Sequence, residues 1–267
     1  MPRYAASIQY DGSRFFGWQI LKTGLPTVQA AIEVALSKVA NHSVSVICAG
    51  RTDARVHACN QVIHFDTDAV RTERGWAYGA NANLPDDVAI NWVKPVSDDF
   101  HARFSALWRR YRYVIYNHPI RPTHLSKGVT WNYRPLDVDR MKTAAKCLLG
   151  EHDFTSYRAI QCQAKNPVRK VTRLDISRHG LLIVIDVQAN AFLHHMIRNV
   201  VGVLMAIGCG KREPRWAKDV LDARDRAHGG ITASPNGLYF IDAGYDKEFG
   251  LPASESTPHF IAPLIPL

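Results

Sequence analysis

The order of predicted strands and helices nearly repeats once along the chain, and this repeat restricts the fold more than any other feature. Apolar and β-branched runs predict strands at residues 4–10, 44–49, 61–66, 88–94, 106–116, 168–177, 181–189 and 238–244. Helical periodicity predicts helices at residues 27–40, 71–82, 137–149, 194–207 and 214–223. The order is βαββαβ in the first half and βαββααβ in the second.

Capping and turn residues support several of these elements. Thr27 is placed as an N-cap before an apolar stripe formed by Val28, Ile32, Leu36 and Val39. Asp137 can cap the third helix, and Gly150 is its stop signal. The tight turn at residues 178–180 predicts a β-hairpin, the clearest in the sequence.

This repeat predicts an α+β protein. Two ferredoxin-like halves, with the order also found in the RNA-recognition motif, would form a mostly antiparallel central sheet flanked by helices. We expect an N-terminal half at residues 1–104, a C-terminal half at 105–245 and an extended tail at 246–267, where proline and serine are frequent. The topology alone does not identify a function, because it serves many.

The charge balance is basic. Lysine and arginine number 33 and aspartate and glutamate 24, which gives a formal net charge of +9. This excess fits a polyanionic partner such as nucleic acid, and equally a protein that is merely soluble. No apolar run approaches the roughly 20 residues that cross a bilayer, so we expect a soluble, cytoplasmic protein.

Several classes of site lose support from the sequence. The five cysteines are odd in number and form no C-x-x-C pair, which argues against a disulfide framework or a zinc knuckle. The chain also lacks a P-loop, a G-x-G-x-x-G turn and a G-x-S-x-G elbow. Nucleotide hydrolysis, nicotinamide chemistry and serine hydrolysis are therefore disfavoured.

A polar loop follows a predicted buried strand at residues 48–58. It contains Arg51, Asp53, Arg55 and His57. A carboxylate between arginines stays ionised, as a nucleophile or base must be. The alternative is a turn aspartate that satisfies loop amides.

Arginines and aromatic residues alternate at residues 108–113. On a strand, Arg110 and Arg112 face one side and Tyr111 and Tyr113 the other. Such a strand could stack bases and hold phosphates. The alternative is a half-buried strand with its tyrosines in the core and its arginines in water.

An arginine also interrupts the apolar helix near residues 192–200. His195 and Arg198 share one face of it. A half-buried Arg198 needs an acidic partner, for which Asp53 is a candidate, or else extends to solvent. The pair His194–His195 lacks the spacing and neighbours of a metal site, so we predict no metal there.

These segments together resemble the tRNA pseudouridine synthase A family. The loop at residues 49–58 is similar to the family motif A-G-R-T-D-x-G-V-H-A. Further similar segments follow in the family's order, at residues 10–12, 16–19, 81–85, 99–104, 110–113, 150–156, 192–199 and 237–239.

The resemblance implies the pseudouridine synthase fold and an isomerase that converts uridine to pseudouridine in tRNA. It implies the three adjacent uridines 38, 39 and 40 of the anticodon stem-loop as targets. It further implies a homodimer with tRNA across both subunits, and neither cofactor nor metal. A non-catalytic RNA-binding protein on the same scaffold is the alternative.

The resemblance also assigns roles to residues. Asp53 corresponds to the catalytic aspartate, as nucleophile or as base. Tyr111 corresponds to the active-site tyrosine that stacks on the base and serves deprotonation at C5, and Arg198 to the basic partner that orients Asp53 and keeps it ionised. The substrate-binding residues are then expected to be Arg51, Thr52, His57, Arg110, Arg112 and Leu238.

One position departs from the motif. Arg55 stands where the family usually has glycine. If that glycine has a left-handed backbone, arginine there costs roughly 1–2 kcal/mol. Its side chain would either crowd the entry of RNA or add a phosphate contact.

Overall fold

The computed structural model describes residues 1–253 and 257–264. The chain divides into two compact units, Met1–Arg109 with Tyr239–Leu267, and Arg110–Leu238. The second unit is continuous in sequence, whereas the first draws on both ends of the chain. Residues 254–256 and 265–267 of the predicted tail lie outside the described residues.

The secondary structure follows the predicted order with additions. The strands are β1 Arg3–Tyr10, β2 Ile47–Cys48, β3 His57–Asp66, β4 Val88–Val96, β5 Trp108–Asn117, β6 Thr130–Asn132, β7 Gly150–Asp153, β8 Val168–His179, β9 Leu182–Ala189 and β10 Leu238–Gly244. The helices are α1 Val28–Ala40, α2 Glu73–Asn81, α3 Val138–Ala145, α4 Met196–Gly208 and α5 Trp216–Ala223.

The sheet of the first unit has the order β4-β1-β3-β10, and β2 also pairs with β3. Strand β1 is antiparallel to both β3 and β4. Strand β10 is parallel to β3, with Tyr239 opposite His57. Helix α1 buries the predicted stripe, since Ile32 and Leu36 are fully inaccessible. The apolar residues whose spacing predicted this helix therefore form the face that packs into the core of the unit.

The sheet of the second unit has the order β5-β9-β8-β7, and β6 pairs with β5 in parallel. Strands β8 and β9 form the predicted antiparallel hairpin, and Gly180 in its turn has a φ of 58°. The Asp137 carboxylate accepts hydrogen bonds from the amides of Asp139 and Arg140 at 2.9 and 3.0 Å, which caps α3. Apolar residues of α3 and α4, among them Met141 and Leu204, are fully buried.

The predicted α+β fold with a mostly antiparallel sheet is confirmed. Some bounds differ. The predicted strand at 44–49 is only Ile47–Cys48, whereas β3 begins at His57, inside the segment we predicted as a loop. Polar side chains of β3 obscured its pattern in the sequence, but they are buried and paired: Asn60 donates to Asp242 at 2.7 Å.

The division of the chain also differs from the expected halves. Because β10 pairs with β3, residues 239–244 lie in the first unit rather than with the segment 105–245. The described part of the tail contains short 3-10 turns at Lys247–Phe249 and Ala262–Leu264. Ile261 is fully buried, so the tail is not simply extended there.

No described helix is suited to cross a membrane. The longest, α1 and α4, have 13 residues each, against the roughly 20 that a bilayer requires.

Candidate active site

The Asp53 loop connects β2 to β3 in the first unit. Its base is fixed at Gly50, whose carbonyl accepts a hydrogen bond from the side-chain amide of Gln61 at 2.5 Å. The Arg109 guanidinium donates to the carbonyl of Ala49 at 3.1 Å. Gln61 is fully buried, so the strand end that carries the loop is held from the core side.

The tip of the loop is held by the segment that follows β1. The Trp18 amide donates to the Thr52 carbonyl at 3.0 Å. Gly17 has a φ of 98°, and a Cβ there would lie 2.9 Å from the same carbonyl. A Cβ at Gly12 would lie 1.9 Å from the carbonyl of Val56. Two glycines of the segment 10–19 thus allow the backbone to approach the Asp53 loop closely.

Asp53 itself forms a tight turn within the loop. Its carbonyl accepts a hydrogen bond from the Val56 amide at 3.2 Å, and its side chain is half-buried. Arg51 and Arg55 are exposed. Thr52 is buried, and its hydroxyl lies 2.8 Å from the Tyr10 hydroxyl.

Tyr10 keeps its phenolic proton. Burial raises the pKa of Tyr10 despite its hydrogen bonds, so the phenol is neutral across the physiological range. The hydrogen bond between the two hydroxyls therefore links Thr52 to the buried Tyr10. This contact fixes the backbone directly before Asp53.

Arg55 has a left-handed backbone with a φ of 64°. Glycine, which stands here in the similar family motif, adopts this conformation without steric cost. The Arg55 amide donates to the Phe15 carbonyl at 3.1 Å, which holds the strained residue in place. The condition for a strain of roughly 1–2 kcal/mol is therefore met.

His57 is buried behind the loop, with 3% of its surface exposed. Its Nδ1 lies 3.1 Å from the Gly12 amide and 3.1 Å from an Asp11 carboxylate oxygen. When protonated, Nδ1 donates to Asp11; otherwise it accepts from Gly12. The hydrogen bond from His57 holds the pKa of Asp11 well below its usual range.

The imidazole ring also stacks on Tyr239 of β10, with centroids 4.7 Å apart. The contacts of His57 in this unit thus hold the loop to β10 and to the segment after β1.

Tyr111 lies on β5 in the second unit and is 7% exposed. Its ring meets that of Phe192 edge to face, with centroids 5.1 Å apart. Tyr113, two residues on, is fully buried and donates to the Ser234 carbonyl at 2.7 Å. Burial raises the pKa of Tyr113, which keeps this donor protonated.

Arg110 and Arg112 share one carboxylate, Asp186 of β9. The Asp186 oxygens lie 2.8 Å from Arg110 Nε and 3.2 Å from Arg112 Nε, and Arg173 lies 3.8 Å away. Arg112 is 1% exposed and Asp186 is 6% exposed. Arg112 is thus a core residue. The sequence suggested that its side chain would either hold a phosphate or lie in water, and the structure shows neither position.

The charge of Asp186 is stabilised by these arginines. Burial alone raises the pKa of Asp186, but the hydrogen bond and charge of Arg110, with the charges of Arg112 and Arg173, outweigh that effect. The pKa of Asp186 therefore lies below its ordinary value. Asp186 is not among the site residues predicted from the sequence, although an aspartate inside the apolar run of β9 is a signal of a buried ion pair.

Arg198 lies in the first turn of α4. Its Nε donates to the carbonyl of Ala233 at 2.8 Å, and the Ala233 amide donates to the carbonyl of Arg198 at 3.0 Å. The guanidinium is therefore positioned by a backbone pair rather than freely extended into solvent. His195, before the helix, has a φ of 60°, and its ring lies 4.0 Å from that of His194.

Leu238 begins β10 and is 5% exposed. The preceding turn includes Gly237, where a Cβ would lie 2.3 Å from the carbonyl of Val114. Only glycine fits so near to β5, so the position of Leu238 is set by close backbone packing. The first unit thus contains Arg51, Thr52, Asp53 and His57, and the second contains Arg110, Tyr111, Arg112, Arg198 and Leu238.

Comparison with known proteins agrees with the motifs. A family model described as tRNA pseudouridine synthase matches residues 6–105 and 144–246. The tRNA pseudouridine synthase A of Pseudomonas aeruginosa is 57% identical over 264 residues, which cover 99% of this chain and 93% of the relative. The protein of the same name from Coxiella burnetii (strain Dugway 5J108-111) is 54% identical over 98% of this chain and 100% of its own length. That of Alcanivorax borkumensis is 56% identical over 94% of each.

Proposed function

Because the chain belongs to the tRNA pseudouridine synthase family, we propose that its targets are uridines 38, 39 and 40 of the anticodon stem-loop. The protein is an isomerase that converts uridine to pseudouridine in tRNA. The match of the Asp53 loop to the family motif carries the assignment of its site.

The reaction rearranges one nucleoside without a net change in atoms. The bond from N1 to C1′ breaks, the uracil turns, and C5 joins C1′. The proton on C5 leaves, and N1 gains one. The target base must first leave its stack, which costs about a few kcal/mol. Contacts between cationic side chains and the RNA backbone offset that cost.

Asp53 is the catalytic residue of this proposal. It attacks C1′ or C6 as a nucleophile, or removes a proton at C2′ as a base. Its support is the fixed backbone on both sides: the Thr52 carbonyl accepts from Trp18, and the Asp53 carbonyl accepts from Val56. A fixed carboxylate needs little reorganisation as the transition state forms.

Tyr111 stacks on the flipped uracil and assists the loss of the C5 proton. Arg198 orients Asp53 and keeps it ionised; its paired bonds to Ala233 support such a positioning role. Leu238 contributes apolar surface for the bound uridine.

The remaining residues divide by their exposure. Arg51 is exposed and suited to a phosphate contact. Thr52 and His57 are buried and support the loop. Arg110 and Arg112 support β5 on either side of Tyr111 through Asp186. No metal or cofactor takes part in this scheme.

The proposal extends to assembly and location. The protein acts as a homodimer with one tRNA across both subunits, and it works in the cytoplasm, where tRNA is its substrate. Sedimentation at micromolar concentration, with and without tRNA, tests the dimer.

The deciding experiment is release of tritium from C5-tritiated tRNA transcript. We expect release by the native protein and none by Asp53→Asn, while both bind tRNA. Asp68→Asn makes the same change at an exposed carboxylate and should act like the native protein. Carbodiimide labelling with primer extension then maps the modified positions. Tritium release by Asp53→Asn near the native rate contradicts the catalytic role, and binding without release by the native protein indicates a pure RNA-binding protein.

A further inference from the structure

Four aromatic rings lie along, and just beyond, the carboxyl-terminal ends of the paired strands β5 and β6 in the second unit. Strand β6 runs parallel to β5, with Trp131 opposite Tyr116. His118 and Tyr133 follow directly after the ends of β5 and β6, two residues beyond Tyr116 and Trp131 respectively. The rings of Tyr116 and His118 are 5.7 Å apart, and those of Trp131 and Tyr133 are 6.1 Å apart. We call these four residues, with Arg134, the Trp131 patch.

The patch is unusual in its exposure. Trp131 is 43% exposed and Tyr133 is 53% exposed. Of the six tryptophans in the chain, Trp131 is the most accessible. The neighbouring Ile120 is 70% exposed. Contiguous aromatic surface of this kind marks an interaction site more often than a single exposed residue does.

The rings are held in place before any partner binds. The Trp131 indole donates to the His118 carbonyl at 2.8 Å, which fixes the plane of the ring. The His118 ring in turn accepts from the Ile120 amide at 3.1 Å. The Arg134 guanidinium lies 5.2 Å from the centre of the Tyr133 ring. A preformed surface loses little conformational entropy when it binds.

The charged residues near the patch in the sequence are all basic. No aspartate or glutamate occurs between Asp99 and Asp137, while Arg121 and Arg134 lie within this stretch. Arg121 is exposed. In the part of the chain that the structure describes, no carboxylate pairs with Arg121 or Arg134. Aromatic rings beside unneutralised arginines are what unpaired nucleotides require, with stacking for the base and positive charge for the phosphate.

We propose that the Trp131 patch is a second RNA-contact surface, which stacks unpaired bases of the tRNA other than the uridine that reacts. The inference rests on the proposed function, since tRNA is the RNA involved. A second copy of the chain fits the patch less well. A two-fold interface would place the same cationic surface on both sides, and facing like charges oppose association.

The test is tRNA binding in the Asp53→Asn background, where the RNA is not converted. Changing Trp131→Leu with Tyr133→Leu removes the ring faces and keeps apolar bulk. We expect the Kd for full-length tRNA transcript to rise about tenfold or more. Changing both residues to phenylalanine should leave Kd within about twofold of the parent, because the ring faces remain.

Tyr78→Leu is the matched control. Tyr78 is 68% exposed and lies beside a guanidinium, with Arg74 5.0 Å from its ring, but it stands on α2 in the first unit. We expect no change in Kd there. If the double variant does not fold, the single variant Tyr133→Leu replaces it in the binding test, because this variant keeps the hydrogen bond of Trp131. An anticodon stem-loop RNA, tested in parallel, shows whether the stacked bases belong to that arm.

The outcomes separate this inference from the proposed function. In the otherwise native protein, we expect the double leucine variant to raise KM about tenfold and to leave kcat unchanged. If the double leucine variant has an unchanged Kd while the native protein turns over normally, the RNA-contact role of the patch is refuted and the proposed activity is not. The same conclusion follows if the double phenylalanine variant loses as much affinity as the double leucine variant. A leucine variant that changes the oligomeric mass assigns the patch to a second copy instead. Absence of native turnover, with patch-dependent binding, refutes the proposed activity and leaves the RNA surface standing.

Discussion

The Arg55 amide donates to the Phe15 carbonyl at 3.1 Å while Arg55 itself has a left-handed backbone. The strain lies two residues after Asp53, in the loop that supplies the proposed catalytic carboxylate. Glycine at this position would have the same backbone without the steric cost of a Cβ. The loop therefore has a defined shape that is maintained against a local penalty.

Replacing Arg55 with glycine should stabilise the protein. We expect the free energy of unfolding of Arg55→Gly to rise by about 1 kcal/mol, since relief of strain is partly offset by the freedom of glycine in the unfolded chain. Urea denaturation measures the change. Arg51→Gly, in the same loop without a positive φ, should instead lose stability. A loss in both variants would contradict the strain at Arg55.

Gly17 and Gly24 offer a matched pair for the support of the loop. Both have positive φ, at 98° and 72°, but only a Cβ at Gly17 meets the Thr52 carbonyl, whereas Gly24 has open space. Gly17→Ala should lower the free energy of unfolding by about 1–3 kcal/mol more than Gly24→Ala does, and should reduce tritium release. Equal effects in the two variants would mean that the close approach to Thr52 is not important.

Asp186→Asn should be strongly destabilising. It leaves Arg112 buried at 1% exposure without its carboxylate. Removing one partner of a buried ion pair costs about 3–5 kcal/mol, and we expect the lower end because asparagine still accepts hydrogen bonds. Urea denaturation at pH 7 tests this. Asp175→Asn, which removes an exposed partner of Arg173, is the control and should change stability by less than about 1 kcal/mol.

The same ion pair predicts a pH dependence. The pKa of Asp186 is lower in the folded protein than in the unfolded chain. Its contribution to stability is therefore fully present above the unfolded value of about 3.9 and is lost as the pH falls through the folded value. The stability difference between the native protein and Asp186→Asn should stay constant from pH 7 to pH 5 and shrink only in stronger acid. A difference that already shrinks between pH 7 and pH 5 would refute this.

Arg198→Lys keeps the charge but loses the guanidinium that donates to Ala233. We expect a fall of about 10²-fold in single-turnover tritium release, with tRNA affinity little changed, because the proposed role is to position Asp53. Arg215→Lys is the control, since that side chain is 87% exposed. Equal loss of binding and rate in Arg198→Lys would indicate a contact with RNA rather than a positioning role.

The sequence predicted the elements whose signals are local. The apolar stripe of α1, the Asp137 cap and the Gly180 turn each lie within a few residues, and each appears in the structure. Strand β6 was missed because three residues have no periodicity, and β7 has only four. The pairing of β10 with β3 joins residues about 180 positions apart, and no local pattern specifies such a partner.

The candidate site shows the same limit. The motif points to Asp53 as the proposed catalytic residue, and the missing glycine identified Arg55 as the residue with a left-handed backbone. The supporting contacts were not predictable in this way. Arg112 is buried because it pairs with Asp186, which is 74 positions away. His57 is enclosed because Tyr239 stacks on its ring. Whether a polar residue is buried depends on partners that are distant in the sequence. A strand rich in charged residues therefore does not by itself predict a charged surface.

The pairing of β10 with β3 also bears on synthesis by the ribosome. The first unit needs β10, which lies near the carboxyl end of the chain, to complete its sheet, whereas the second unit is one uninterrupted stretch. At about 5–20 residues per second, the amino-terminal segment would emerge on the order of ten seconds before its last strand. During that interval the edge of β3 at His57 and Ala58 has no strand to pair with. The part of the protein that is made first, including the loop of Asp53, therefore matures last, and a nascent chain stalled before residue 239 would expose an open strand edge to other chains.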